Sequence, residues 1–287
     1  MRLIEPGLAD DAFLRSVAEA REGAGSGRFH LWWLGQSGFL LHWNRRFLLL
    51  DPYLSDSLAK KYAGTDKPHV RMTRRVVDPS RLAFVDAAAS SHNHTDHLDG
   101  ETLGPLLGAN SALEIAVGRA NRDFAAERLG VAPGRLLSVD DGTAAAAAGF
   151  ELNGIASAHE AIERDAEGAC RFLGFAVRFG PWTVYHSGDT VRYEGMAEKL
   201  RRFAIDVALL PINGADPARR VAGNLSGSEA AELARDIGAR LVIPCHYEMF
   251  EFNTASPEDF AAACGRLAQP FRILRAGERW SSAELGL

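Results

Sequence analysis

The sequence predicts an α/β fold in which β-sheets are covered by helices. Three observations carry this expectation: two strand-rich halves, helix-period segments interleaved with them, and no linker-like composition shift between the halves. The 287 residues are 47% hydrophobic and 24% charged, a balance that suits a soluble chain with a large core. Residues 1–287 are therefore read as a single domain, with residues 1–27 as an N-terminal helical extension.

The elements follow in order. Residues 8–22 predict a short surface helix before the glycine-rich break GAGSG. FHLWWLGQSGFLLHW and RFLLLDPYL predict two or three adjoining strands, turning at Gly35, Gln36, Ser37 and Gly38. Residues 55–80, with the basic run KKYAGTDKPHVRMTRR, are too long for a routine turn and read as an excursion over the surface. RLAFVDAAAS resembles a buried strand, HLDGETLGPLL starts a helix, ANSALEIAVGRA carries a strand and turn, and NRDFAAERLG a short helix. The second sheet-like run is GRLLSV, AAAAAGFELNGIASA, CRFLGFAVRF, WTVYHSGDT and IDVALLPI. SGSEAAELARDIGA is the clearest helix: Ser226 and Glu229 have capping-box spacing, and Ala230, Leu233, Ala234 and Ile237 share a face. Gly238 stops it, and RLVIPCHYEMF leads a strand directly into His246.

Several function classes are disfavoured. A net charge of -5 argues against a broad grip on a nucleic-acid backbone. The three cysteines, Cys170, Cys245 and Cys264, make neither a disulfide framework nor a Cys-x-x-Cys zinc site. The amino terminus lacks a basic segment followed by an apolar one, and no run approaches the roughly 20 apolar residues of a membrane span. The expectation is a cytoplasmic protein acting on a small molecule, with homo-oligomerisation left open.

The chemistry concentrates in SHNHTDHLDG, residues 91–100, which spends three of the chain's nine histidines within six positions. His92 and His94 are two apart, so an extended chain sends both imidazoles to one side. A turn then brings Asp96 and His97 towards a second ion beside the first. Imidazole nitrogen and carboxylate oxygen together suit Zn, Mn or Fe better than a thiolate site would.

With FHLWWLGQSGFLL, YHSGDT, IDVALLPI and VIPCHYEMF, this motif resembles the metallo-β-lactamase-fold hydrolases, in particular their L-ascorbate-6-phosphate lactonase-like branch. The resemblance runs from about residue 28 to 260 in the family's order. It implies a four-layer αββα sandwich, two mixed sheets face to face with helices outside. It also implies two divalent metal ions, Zn or Mn and less readily Fe. His92, His94 and His159 would hold the first ion, Asp96, His97 and His246 the second, and Asp189 would bridge them. Asp51 would brace a ligand loop, and Asp96 and Asp189 would carry the catalytic carboxylates. His94 stands where a flavin-linked di-iron oxygen reductase would use glutamate, which turns the resemblance away from that branch.

The reaction class so implied is hydrolysis by hydroxide activated at a dinuclear metal centre. The expected substrate is a small anionic lactone or ester. A phosphodiesterase or phospholipase, and a non-catalytic metal-stabilised scaffold, remain as alternatives. Arg71, Arg74, Arg75 and Arg171 are candidates for meeting the substrate's anion, because guanidinium matches carboxylate and phosphate geometry. His186 is a further candidate for lining the site, while His30 and His42 read as structural.

Overall fold

Apolar runs of five to seven residues, rich in aromatic and branched side chains, pair into sheets because the pleat lets such side chains pack on both faces. The computed structural model describes residues 3–23 and 27–286, so parts of the expected N-terminal extension lie outside the described residues. The first sheet has seven strands. They are β1 (Phe29–Gly35), β2 (Gly38–Trp43), β3 (Arg46–Leu50), β4 (Ala87–Ser90), β5 (Glu114–Gly118), β6 (Leu136–Val139) and β13 (Arg279–Ser281). Their order is β13-β1-β2-β3-β4-β5-β6. Strands β13 to β3 pair antiparallel, and β3 to β6 parallel.

The second sheet has six strands, β7 (Ala144–Ala147), β8 (Phe150–Ala156), β9 (Leu173–Phe179), β10 (Trp182–His186), β11 (Val207–Pro211) and β12 (Leu241–Cys245). Their order is β12-β11-β10-β9-β8-β7, parallel from β10 to β12 and antiparallel elsewhere. Every residue of β10, β11 and β12 is buried, as expected for strands covered on both faces. Phe29 of the first sheet meets Phe179 and Trp182 of the second edge-on, and one hydrophobic cluster runs through both. The result is an α/β sandwich of two mixed sheets flanked by helices, the architecture the family resemblance implied.

The expected N-terminal helix is α1 (Asp10–Glu22), and it is more than a surface attachment. Phe13, Val17 and Ala20 enter the core, and Ser16 accepts a hydrogen bond from the Trp32 indole. The surface excursion contains α2 (Ser57–Tyr62). α4 (Arg122–Leu129) packs on the first sheet with α3 (Gly100–Ala109) against it, and α6 (Gly227–Asp236) on the second with α7 (Pro257–Leu267) against it. The short α5 (Met196–Arg201) and α7 were not among the expected helices. The alanine-rich stretch, read as strand, is a hairpin: Ala148 and Gly149 both have positive φ, 49° and 90°, and reverse the chain between β7 and β8. The turn was hidden because alanine stands where asparagine or glycine usually signals it. Among the described residues no helix is long and apolar enough to cross a membrane.

α6 begins as its sequence predicts, with reciprocal hydrogen bonds between Ser226 and Glu229. Ser226→Ala removes that cap and is expected to lower stability by about 1 kcal/mol in urea titration. An unchanged midpoint would mean that packing alone sets this helix start.

Candidate metal centre

Strand ends on one edge of the sandwich deliver the polar residues to a common point. The His-rich loop follows β4, Asp51 follows β3, His159 follows β8, Asp189 follows β10, and His246 follows β12. Within the loop, the amides of His97 and Leu98 both donate to the His94 carbonyl, which turns Asp96 and His97 back over the preceding histidines. Gly188 allows the SGD turn to lie against this loop. Its φ is +59°, and a Cβ there would meet the Leu173 carbonyl oxygen at 2.6 Å and Ser91 Cβ at 2.7 Å.

Two sets of ligand-type atoms result, each with its members within 4.8 Å of one another: His92, His94, His159 and Asp189, and Asp96, His97 and His246. Asp189 stands between the sets. Its Oδ1 lies 3.3 Å from His97 Nε2, and its Oδ2 lies 3.4 Å from His159 Nε2 and 3.5 Å from His246 Nε2. All seven residues expected from the sequence thus converge, although they span positions 92 to 246.

Hydrogen bonds behind the site orient the imidazoles. Ser91 Oγ gives its proton to Asp51 Oδ2 at 2.6 Å, which leaves it to accept from His92 Nδ1 at 3.0 Å. His97 Nδ1 donates to Asp51 Oδ2 at 2.6 Å, and His159 Nδ1 to the Gly223 carbonyl at 2.8 Å. Each of these hydrogen bonds places a proton on Nδ1, so Nε2 is the nitrogen that turns inward, with its lone pair free once any proton there is released. Buried His92 Nε2, His97 Nε2 and Asp189 Oδ1 have no hydrogen-bond partner. Buried polar atoms are rarely left unpaired, so three such atoms aimed at one point fit divalent cations. The donor set of imidazole and carboxylate suits Zn or Mn, without distinguishing them.

Gln36 was legible only as a turn residue. In the structure its Nε2 donates to Asp96 Oδ2 at 2.8 Å and meets His246 Nε2 at 3.0 Å. The sole sequence signal was a polar side chain in a tight turn between two apolar strands.

The expected substrate contacts lie elsewhere. Arg71 is ion-paired with Asp56 and donates to the Ser55 and Thr73 carbonyls; Arg74 pairs with Glu5 and Asp10, and Arg75 with Asp78. Arg171 is an exposed residue that does not line the cleft over the site. His186 is buried, donating from Nε2 to the Ser37 carbonyl and accepting from the Gly188 amide at Nδ1, so both ring nitrogens are engaged. The cleft, of about 470 Å³, is lined instead by Lys61, Tyr62, His69, Arg128, Asn224 and Phe250 around the ligand residues.

Comparison with known proteins agrees with this geometry. A family model described as "Beta-lactamase superfamily domain" matches residues 46–247. The chain belongs to the metallo-β-lactamase superfamily. A "UPF0173 metal-dependent hydrolase" of Opitutus terrae is 31% identical over 255 residues, covering 86% of this chain and 97% of that protein. A probable L-ascorbate-6-phosphate lactonase of Escherichia coli O127:H6 is 23% identical over 272 residues, covering 83% of this chain and 75% of that protein. Among solved structures, a possible metal-dependent hydrolase of Veillonella parvula superposes with a TM-score of 0.68 at 17% identity, covering 88% of this chain and 98% of that one. The relatives support a superfamily metal-dependent hydrolase, mostly of the UPF0173 kind, more strongly than the lactonase branch.

The two ligand sets differ in how they hold protons. Burial, followed by the neighbouring His97 and His94, pushes the pKa of His92 well below the usual histidine range, so its lone pair is free at neutral pH. Burial also opposes charge on His97, but Asp189, Asp51 and Asp96 outweigh it and raise that pKa well above the usual value. A cation entering beside His97 must expel a tightly held proton, whereas one entering beside His92 need not. As pH falls, proton competition therefore strengthens first at the His97 set. Metal analysis after dialysis from about pH 8 to about pH 5 should show stepwise loss, with the early step absent in His97→Ala. Simultaneous release of all metal would contradict this difference.

Proposed function

We propose that this metal-dependent hydrolase uses a dinuclear metal centre to activate water against a small anionic ester or lactone. The observation that supports it most is the convergence of three partnerless buried ligand atoms, from His92, His97 and Asp189, beneath an open cleft. Divalent ions held by these residues would supply a lowered pKa for water and polarisation of a scissile carbonyl.

The chain's own residues do the rest. His92, His94 and His159 would hold the first ion, and Asp96, His97 and His246 the second. Asp189 stands between the two sets, and burial favours the neutral acid there less than His97 and His246 favour its anion, so its pKa is held well below the usual range. Asp51 fixes the His97 ring and, through Ser91, the His92 ring. Asp96 is oriented by Gln36 and is the more exposed carboxylate of the pair, with 16% of its side chain accessible against 4% for Asp189. It is the carboxylate suited to orient the attacking water. Phe172 packs beside the His92, His94 and His159 rings and keeps that flank apolar. The similarity to a lactonase supports a cyclic or open carboxylic ester as substrate, and the negative charge of the protein as a whole disfavours long polyanions.

The test is a turnover panel of sugar lactones, phosphorylated lactones, simple esters and phosphodiesters on protein loaded separately with Zn and Mn. His94→Ala and Asp189→Asn should each lose bound metal and fall by more than the ~10–100-fold that outer partners of ligands typically cost, while remaining folded. Turnover of phosphodiesters alone would end the ester reading and favour a phosphodiesterase on the same centre. Full metal content and activity in both variants would overturn the ligand assignment.

A further inference from the structure

Arg128 sits in the last turn of α4 and reaches the lip of the cleft. Its Nη1 donates to the Asn93 carbonyl at 2.9 Å and the Leu98 carbonyl at 3.0 Å, the two ends of the loop that carries His94, Asp96 and His97. Its guanidinium carbon lies 4.4 Å from the centre of the Phe124 ring. Among the described residues Nε and Nη2 have no hydrogen-bond partner and no carboxylate pairs with the group. The nearest acid to influence it, Asp99, spends its own carboxylate on the Thr102 hydroxyl and the Glu101 amide.

This lack of an acid partner sets Arg128 apart from the neighbouring loops. Arg71, Arg74, Arg75 and Arg220 are all ion-paired, the last with Asp66. A second cation in the cleft, Lys61, also has no carboxylate partner among the described residues; its Nζ lies 5.1 Å from the Tyr62 ring centre. A half-buried guanidinium without a carboxylate partner is costly, and the two carbonyls and the Phe124 ring offset its desolvation only in part. Clamping the loop accounts for Nη1 alone. The remaining edge, Nε with Nη2, is the side-on fork that takes two oxygens of a carboxylate or phosphoryl group.

We infer that Arg128 is the receptor for an anionic group of the substrate, bound side-on by Nε and Nη2 and distinct from the carbonyl that is hydrolysed. Lys61 adds a second positive charge to the same cleft. The substrate class is then an ester or lactone that carries a separate carboxylate or phosphate. This deepens, and rests on, the reading of the cleft as the hydrolase's substrate site.

Equilibrium binding tests it without requiring turnover, so failure of the ester reading and failure of this one are distinguishable. Metal-loaded wild type, Arg128→Gln and Arg128→Lys are titrated calorimetrically with succinate in one arm and methyl phosphate in the other, with metal content measured alongside. Glutamine removes the charge and the fork and stops short of the Nη1 position, so metal content reports whether the ligand loop has shifted; lysine keeps the charge. Wild type should bind at least one anion, and Arg128→Gln should weaken it about 10–100-fold at unchanged metal content, with Arg128→Lys between them. The arm that binds tells carboxylate from phosphoryl. Equal binding by all three proteins, no binding of either anion to wild type, or weakening only in step with metal loss would overturn the inference and leave Arg128 as a loop clamp. With the esters p-nitrophenyl acetate and mono-p-nitrophenyl succinate, the kcat/KM ratio of charged to neutral substrate should fall by a similar factor in Arg128→Gln. An unchanged ratio would likewise overturn it.

Discussion

The site depends on one buried carboxylate. Asp51 leaves the end of β3 with a positive φ of 42° and no exposure to solvent, and its amide donates to the Ala89 carbonyl of β4. Its Oδ1 accepts from the Ser91 amide at 2.7 Å, while Oδ2 accepts from the Ser91 hydroxyl and from His97 Nδ1 at 2.6 Å each. A buried charge so placed must be fully hydrogen-bonded, and each bond that satisfies it also fixes a part of the ligand loop. Two imidazoles take their tautomers from this single group, one directly and one through Ser91. The loop after β4 is thereby held by the end of the neighbouring strand, rather than by its own local preferences.

The same arrangement recurs around the cleft. Gln36, Asp51 and His246 all have positive φ, and all sit where a strand stops. Such backbone is disfavoured for these residues, and it persists because partners on other strands hold it. The His246 amide donates to the Gln36 carbonyl, so the turn between β1 and β2 in one sheet anchors the end of β12 in the other. The facing of the two sheets is therefore part of the site's construction. His97 and His246 come from different sheets and share Asp189 only because the sandwich brings those strand ends together.

Much of this was legible in the chain. Strands announced themselves through runs such as FHLWWLG and IDVALLPI, and α6 through its capping pair, because those signals are local. The ligand residues within SHNHTDHLDG were legible from their spacing, and His159, Asp189 and His246 only through the family resemblance that the surrounding segments carry. Hairpin reversal at Ala148–Gly149 was not, since alanine gives no warning of positive φ. Nor were the cleft's cations. Arg71 and Arg128 look alike as residue types, but one meets Asp56 and the other meets only backbone carbonyls and a ring. What an arginine faces is settled by tertiary packing, which short sequence windows do not encode.

Separation of the polar centre from the core explains how a site with such charge density coexists with a stable fold. The hydrophobic cluster that joins the sheets includes Trp32, Phe29, Phe175 and Val184 from the strands, whereas the ligand residues lie beyond the strand ends. Without bound ions, the proton that Asp189, Asp51 and Asp96 hold on His97 offsets part of the carboxylate charge. The ligand geometry is thus supported by hydrogen bonds and a proton that cations replace, in contrast to small zinc domains whose folding waits for metal. A fold built in that order can exchange ions, and change the walls of its cleft, without rebuilding the sandwich beneath.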